Sequence, residues 1–198
     1  MPEERIELEP IGLGLQGHWI ELKDTVTPQD MERFATSRRL DPAMGAGGGP
    51  VSSPYAPPML IVERRSGATV GMIENHGLPG GVAVVVVYLD RARGRAGYGV
   101  EALALYVSHL FDSGARHVTG EVLAFNTAMV RVMHHMTLPP RARMREHVFA
   151  AGRFWDLLVY SFDREQWLSG LGRYRRFLPG GDRSPTVLGG RRRDKSAG

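Results

Sequence analysis

The 198-residue chain contains no cysteine. That excludes a disulfide framework, a thiolate metal site and a cysteine nucleophile. It also has no apolar run near the roughly 20 residues that a membrane-crossing helix requires, so no membrane partner is expected. Met1 to Pro10 is acidic and lacks the apolar stretch of a secretory leader, which leads to the expectation of a cytoplasmic protein. Lysine is almost missing, with only Lys23 and Lys195 present. The isoelectric point of about 9.7 invites a nucleic-acid reading, but the charge is unevenly placed. From Gly172 onward eight arginines and lysines stand against two aspartates, a net +6 in a chain whose total is +4. Residues 1–171 therefore carry about −2. The basic character belongs to the tail, the preference for arginine over lysine reads as a GC-rich coding bias, and no nucleic-acid partner is expected.

What is present is a succession of strand and helix signals. Trp19 to Leu22 alternates as a first strand. Thr27-Pro28-Gln29-Asp30 opens a helix, with Thr27 as cap, Pro28 at the first helical position and Asp30 complementing the dipole; its end is placed near Arg39. Residues 41–58 are rich in Gly, Pro, Ala and Ser and read as a mobile loop. Met59–Glu63 and Thr69–Glu74 form two strands joined at Arg65-Ser66-Gly67, and Gly77 to Gly81 supplies the next turn. Val82 to Leu89 is a β-branched run too continuous for a half-exposed strand, so it belongs in mid-sheet. A helix follows from Tyr98 to Ser113, with Leu103, Tyr106, Val107, Leu110 and Phe111 at helical spacing. A strand at His117–Ala124, a short helix at Asn126–Met136, a hairpin of Met144–Phe149 with Phe154–Phe162, and a helical turn at Arg164–Leu168 complete the order. The pattern then dissolves. The expected organisation is an N-terminal extension at 1–14, one α/β domain with a mixed sheet at 15–168, and a basic, disordered tail at 169–198.

The most informative stretch lies between the buried strand and the helix: Arg91-Ala92-Arg93-Gly94-Arg95-Ala96-Gly97-Tyr98-Gly99. Backbone N–H groups at a helix N-terminus form an anion site. Gly94, Gly97 and Gly99 let the backbone come close to a pyrophosphate, and Arg93 and Arg95 add positive charge. A Walker-type loop would end in Gly-Lys-Ser/Thr, which is missing. A dinucleotide fold would place such a turn after the first strand, whereas here it follows the fourth. A plain glycine turn is the remaining bland reading.

At this point the chain resembles the GNAT superfamily of N-acetyltransferases. Arg91 to Ala96 is similar to the family's Arg/Gln-x-x-Gly-x-Gly/Ala turn. Gly97-Tyr98-Gly99-Val100-Glu101-Ala102 resembles the helix opening Gly-Tyr-Gly-x-Glu-Ala. The two matches abut where they would normally share a glycine, so the turn carries about one extra residue. Downstream, Glu121-Val122-Leu123-Ala124-Phe125-Asn126, Arg145 to Phe149, Gly152-Arg153, Asp156 and Val159-Tyr160 resemble the Rim-type branch, whose best-known members acetylate ribosomal-protein N-termini. The resemblance spans roughly residues 15–168 and is strongest in the second half. It implies a mostly antiparallel sheet of six to seven strands, with the fourth and fifth splayed to admit acetyl-CoA or another acyl-CoA, and no metal. It further implies that backbone groups at Val85 and Val87 hold the pantetheine, that Arg93, Gly94, Arg95, Ala96, Gly97, Tyr98 and Gly99 hold the pyrophosphate, and that Asn126 and Met133 lie along the thiol end. Asn126 also reads as a helix cap.

Transfer to an amine requires a proton acceptor and stabilisation of the oxyanion. The family's glutamate, five residues before the asparagine, corresponds to Glu121, the candidate base. A strand carboxylate paired with an arginine is its structural alternative. The family's tyrosine falls at Met133, which cannot donate a proton. Either the thiolate leaves unaided, or His134 or Tyr98 substitutes, or the protein binds acyl-CoA without transferring the acyl group. Tyr55, His147 and Trp155 are the candidate acceptor contacts. The resemblance implies a small-molecule amine or a protein N-terminus as acceptor, and a monomer or homodimer.

Overall fold

The computed structural model describes residues 14–30, 32–33, 55–78, 80–90, 97–150, 152–174 and 186–188. The loop at 41–58 therefore falls outside it up to residue 54, as do the turn residues 91–96 and most of the tail.

Nine strands form one sheet: β1 Gly14–Gln16, β2 Ile20–Lys23, β3 Met59–Glu63, β4 Thr69–Leu78, β5 Val82–Leu89, β6 His117–Leu123, β7 Ala142–Ala150, β8 Arg153–Asp163 and β9 Thr186–Leu188. Their order is β7-β8-β6-β5-β4-β3-β2-β1-β9. Every pairing is antiparallel except that of β5 with β6. The helices with full bounds are α1 Tyr98–Asp112, α2 Thr127–His135 and α3 Arg164–Tyr174. Residues 28–30 and 32–33 are also helical. Thr27 caps that helix as expected: its Oγ1 accepts from the Asp30 N–H at 3.2 Å, and the Asp30 carboxylate accepts from the Thr27 N–H at 3.0 Å.

The mixed, mostly antiparallel sheet agrees with the sequence reading, and the departures have local causes. The count rises to nine because β1 and β9 are three-residue strands too short to show alternation. The tail was expected to be disordered, yet Thr186–Leu188 pairs with β1, Gly14 opposite Leu188. The edge of β1 presents backbone groups that need partners, and Thr-Val-Leu is a β-favouring triplet. Strand β4 does not stop at Glu74. Its ladder with β5 runs on through Asn75, His76 and Gly77 to Leu78 opposite Val82, so tertiary pairing overrides the weak strand propensity of those residues. Helix α3 continues past Leu168 to Tyr174, beyond the expected domain limit. Its Ser-Gly-Leu-Gly sequence hides it. A Cβ at Gly170 would meet the Met136 carbonyl oxygen at 2.8 Å, so the glycine lets α3 close on the end of α2, while Trp167 and Leu171 are buried.

The sheet has two distinct faces. Ala83 and Val85 of β5 and Val118 and Val122 of β6 join the main core with Tyr106 and Leu110 of α1, Met133 of α2 and Trp167 of α3. All three helices thus pack on one face. On the opposite face Leu60, Val62, Met72 and Tyr88 form a smaller cluster. Because side chains alternate along a strand and directly opposed residues share a face, His76, Glu74, Val84, Val86, Thr119 and Glu121 all belong to this second face.

Candidate active site

Strands β5 and β6 are parallel neighbours for only three residues. The ladder runs Val82–His117, Ala83–Val118 and Val84–Thr119, and stops there. Beyond it β6 pairs only with β8, and β5 keeps β4 on its other side. Each second residue of β5 from Val85 onward therefore turns its N–H and C=O into the gap, where no β6 group receives them. A cleft of about 220 Å³ occupies the opening. Val84 to Val87 form one wall and Thr119 to Leu123 the other, with Leu103 and Val107 of α1 and Met129 and Met133 of α2 below. The lining is mainly apolar and the unpaired strand edge is polar, a combination that suits an extended arm carrying amide groups.

Helix α1 follows β5 and lends Leu103 and Val107 to the lining of this opening. Its N-cap, Gly97, has φ 107° and, as a glycine, offers no side-chain cap to the positive end of the helix dipole. Arg93, Gly94, Arg95 and Ala96 lie outside the described residues. Gly97 and Gly99 do not owe their lack of a side chain to ligand approach alone. A Cβ at Gly97 would lie 2.8 Å from the Trp19 ring, and one at Gly99 would lie 2.9 Å from Leu89 Cδ1. At Gly97 the left-handed backbone and the indole act together, so Gly97→Val is expected to cost about 2–3 kcal/mol, read as a lowered midpoint in urea unfolding.

The remaining first-turn residues are held by the protein itself. Tyr98 is buried and its hydroxyl donates to Glu63. That contact turns it toward β3, so it is not placed to protonate a thiolate in the cleft. Glu101 is buried, and its carboxylate accepts the N–H groups of His18, of Trp19 at 3.0 Å and of Ile20 at 3.2 Å. It fastens the start of α1 to the β1–β2 turn.

Of the sequence-derived candidates, Val85, Val87, Glu121, Asn126 and Met133 all line the cleft. Glu121 is exposed and stands opposite Val159 of β8. Asn126 is also the cap of α2, with its side chain accepting the Met129 N–H at 3.2 Å. Met133 is buried in the wall. His134 and His135 are exposed at the end of α2 and do not line the cleft.

The three acceptor candidates separate. Tyr55 packs against the main core on the helical face, away from Glu121, because Asn75 and Tyr106 tie the adjacent backbone to that face: Asn75 Nδ2 donates to the Ala56 oxygen at 2.9 Å and Tyr106 Oη to the Pro57 oxygen at 2.9 Å. His147 is exposed in a bulge of β7 between Met144 and Val148. The bulge puts Glu146 at φ 48°, and Asp156 holds it by accepting the Glu146 N–H at 2.9 Å and Arg143 Nε at 2.6 Å. These bonds, the backbone one first, keep the Asp156 carboxyl below the usual range. Trp155 reaches the cleft mouth indirectly. Its ring meets Phe125, a lining residue, edge-on at 5.0 Å between centroids, and carries the Arg153 guanidinium over it at 3.5 Å.

Two polar residues near the cleft were not singled out from the sequence. Glu74 is 2% exposed and accepts from the Tyr88 hydroxyl at 3.2 Å. His76 Nε2 lies 3.8 Å from the same carboxylate oxygen.

No protein-family model matches the sequence, and a search of curated proteins finds no match. The fold, however, is shared with solved acetyltransferases. A GCN5-related N-acetyltransferase from Brucella melitensis superposes with a TM-score of 0.56 over 84% of this chain and 86% of its own, at 16% identity. Mycobacterium smegmatis RimJ, solved with CoA-disulfide, gives 0.56 over 84% and 92%, also at 16% identity. The ribosomal-protein-S5-alanine acetyltransferase of Vibrio fischeri gives 0.56 over 78% and 98%, at 12% identity. The chain has the GNAT fold.

Proposed function

We propose that the protein is an acyl-CoA-dependent N-acyltransferase that moves an acetyl group from acetyl-CoA to a primary amine in one ternary complex. The observation that carries this reading is the early end of the β5–β6 ladder. It leaves a cleft that follows an unpaired strand edge, with Leu103 and Val107 of α1 beneath it and Glu121 on its β6 wall. Residues of the right chemistry lie along it and at the start of α1. The first turn of α1, with Gly97 to Gly99, suits a pyrophosphate. The gap-facing backbone of Val85 and Val87 suits the amides of a pantetheine arm. Asn126, Met129 and Met133 suit its narrow sulfur end. Acetyl-CoA supplies an activated acyl group. The chain supplies orientation, a β5 backbone N–H for the developing oxyanion, and Glu121 as proton acceptor for the amine.

The acceptor is an amine on the face of the sheet opposite the three helices, with Phe125 and Trp155 as an apolar rim. The likeness to RimJ and to the S5-alanine enzyme favours a Rim-type protein N-terminus as acceptor; the apolar rim equally suits a small amine. A cytoplasmic monomer or homodimer acting without metal or nucleic acid is part of the same reading. Met133 favours one second reading, an acyl-CoA-binding regulator, because neither it nor Tyr98 or His134 supplies a proton at the cleft. Calorimetry with CoA, followed by thiol release from acetyl-CoA with peptides beginning in alanine or serine, polyamines and aromatic amines, separates the two. Binding with release is expected. Binding without release from any amine selects the regulator, and absence of binding removes both.

A further inference from the structure

We infer that His76, beside Glu74 on β4 and directly opposite the cleft-apex residue Val84, is a second proton-accepting residue for the reaction; the inference rests on the acyltransfer reading above.

The argument begins with register. Val84 is the last β5 residue paired to β6, and it marks the apex of the opening. His76 stands directly opposite Val84, and Glu74 directly opposite Val86, the next residue on the same face. Opposed residues in an antiparallel ladder point to one face with Cβ atoms about 5 Å apart. His76 and Glu74 therefore sit one strand from the apex on the face away from the helices. Glu121 occupies the other lip on that face, two residues beyond Thr119, the apex partner of Val84. The apex thus has a carboxylate beside it on β6 and, across β5, an imidazole–carboxylate pair on β4.

The pair has the form that proton transfer requires. The Glu74 side chain is 2% exposed, whereas that of His76 is 26% exposed, so the imidazole can meet a ligand that the carboxylate cannot. The carboxylate oxygen that accepts the Tyr88 hydroxyl also faces His76 Nε2. The Glu74 carboxylate lies 3.8 Å from Nε2 of His76, so Nδ1 is the ring nitrogen directed away from it and open to a ligand.

The reaction uses two acceptors. An ammonium acceptor becomes an amide: a C–N bond forms, the C–S bond breaks, and the nitrogen loses two protons. One ends on the thiol sulfur and the other leaves to solvent. Glu121 takes the proton that frees the lone pair, and His76 takes the one released as the C–N bond forms.

The test uses the full-length protein, acetyl-CoA and whichever amine of the above panel releases most thiol from the wild type. His76→Ala is expected to lower kcat by about 10²-fold, with CoA affinity by calorimetry within about twofold and partial recovery of kcat on adding imidazole. Glu74→Gln is expected to lower kcat less, without imidazole recovery. His76→Ala with unchanged kcat, or a loss that imidazole does not restore while CoA still binds, overturns the role of His76 and leaves the acyltransfer reading standing. A wild type that releases no thiol overturns both.

Discussion

Glu121→Gln is expected to reduce turnover by 10²-fold or more while leaving CoA affinity within about twofold of the wild type. The substitution keeps the side chain's size on β6 and removes only its capacity to take a proton. General-base assistance contributes about 10²–10⁴ in rate, and the cleft walls proposed to hold the donor are unchanged by the swap. Glu121 is exposed in the structure and lines the cleft, on the β6 strand opposite Val159. Steady-state kinetics paired with calorimetry provides the check. Equal losses in turnover and affinity would show that Glu121 shapes the donor site instead, and no loss would transfer the proton chemistry to β4.

The largest stability effect is expected at Glu101, a residue the sequence motif places beside the phosphate turn. Its carboxylate accepts three consecutive backbone N–H groups, those of His18, Trp19 and Ile20. Removing it leaves those amides in a part-buried turn without their acceptor. Each hydrogen bond to a charged group contributes about 1.5–3 kcal/mol, and water reaches part of the turn, so Glu101→Ala is expected to cost about 3–4 kcal/mol. Glu101→Gln retains one acceptor oxygen and is expected to lose about half of that. Urea unfolding followed by tryptophan fluorescence measures it, with Trp19 as the local reporter. A loss below about 1 kcal/mol for the alanine variant would show that the β1–β2 turn holds itself.

Much of this architecture is legible in the sequence because local and tertiary preferences agree there. Val82–Leu89 is continuous and β-branched, and it sits in mid-sheet. The helical spacing from Leu103 to Phe111 yields α1 with nearly the expected ends. The Glu121-to-Asn126 match places both residues at one cleft. What was missed depends on partners distant in sequence. Asn75-His76-Gly77 looks like the approach to a turn and becomes strand only because β5 is there to pair with it. That misreading hid the place of His76 opposite Val84, which is a matter of register. Tyr55 packs against the main core on the helical face, and a loop's composition says nothing of which face of a sheet it crosses. The readings of Gly97 and Gly99 as ligand-approach residues were incomplete because Trp19 and Leu89, their neighbours in space, are remote in the chain.

The cap of α2 has a mechanical consequence. Asn126 fixes the residue at which that helix starts, by accepting the Met129 N–H, and Met129 and Met133 project from the helix into the cleft. The two methionines stand four residues apart, so one turn of helix sets the spacing of both along the wall. A slip in the starting point would rotate them together by about 100° per residue and reshape the narrow end of the channel at one stroke. The asparagine is thus a gauge for the bore of the site, whatever it touches directly, and substitutions there should be read first as changes in the helix's phase.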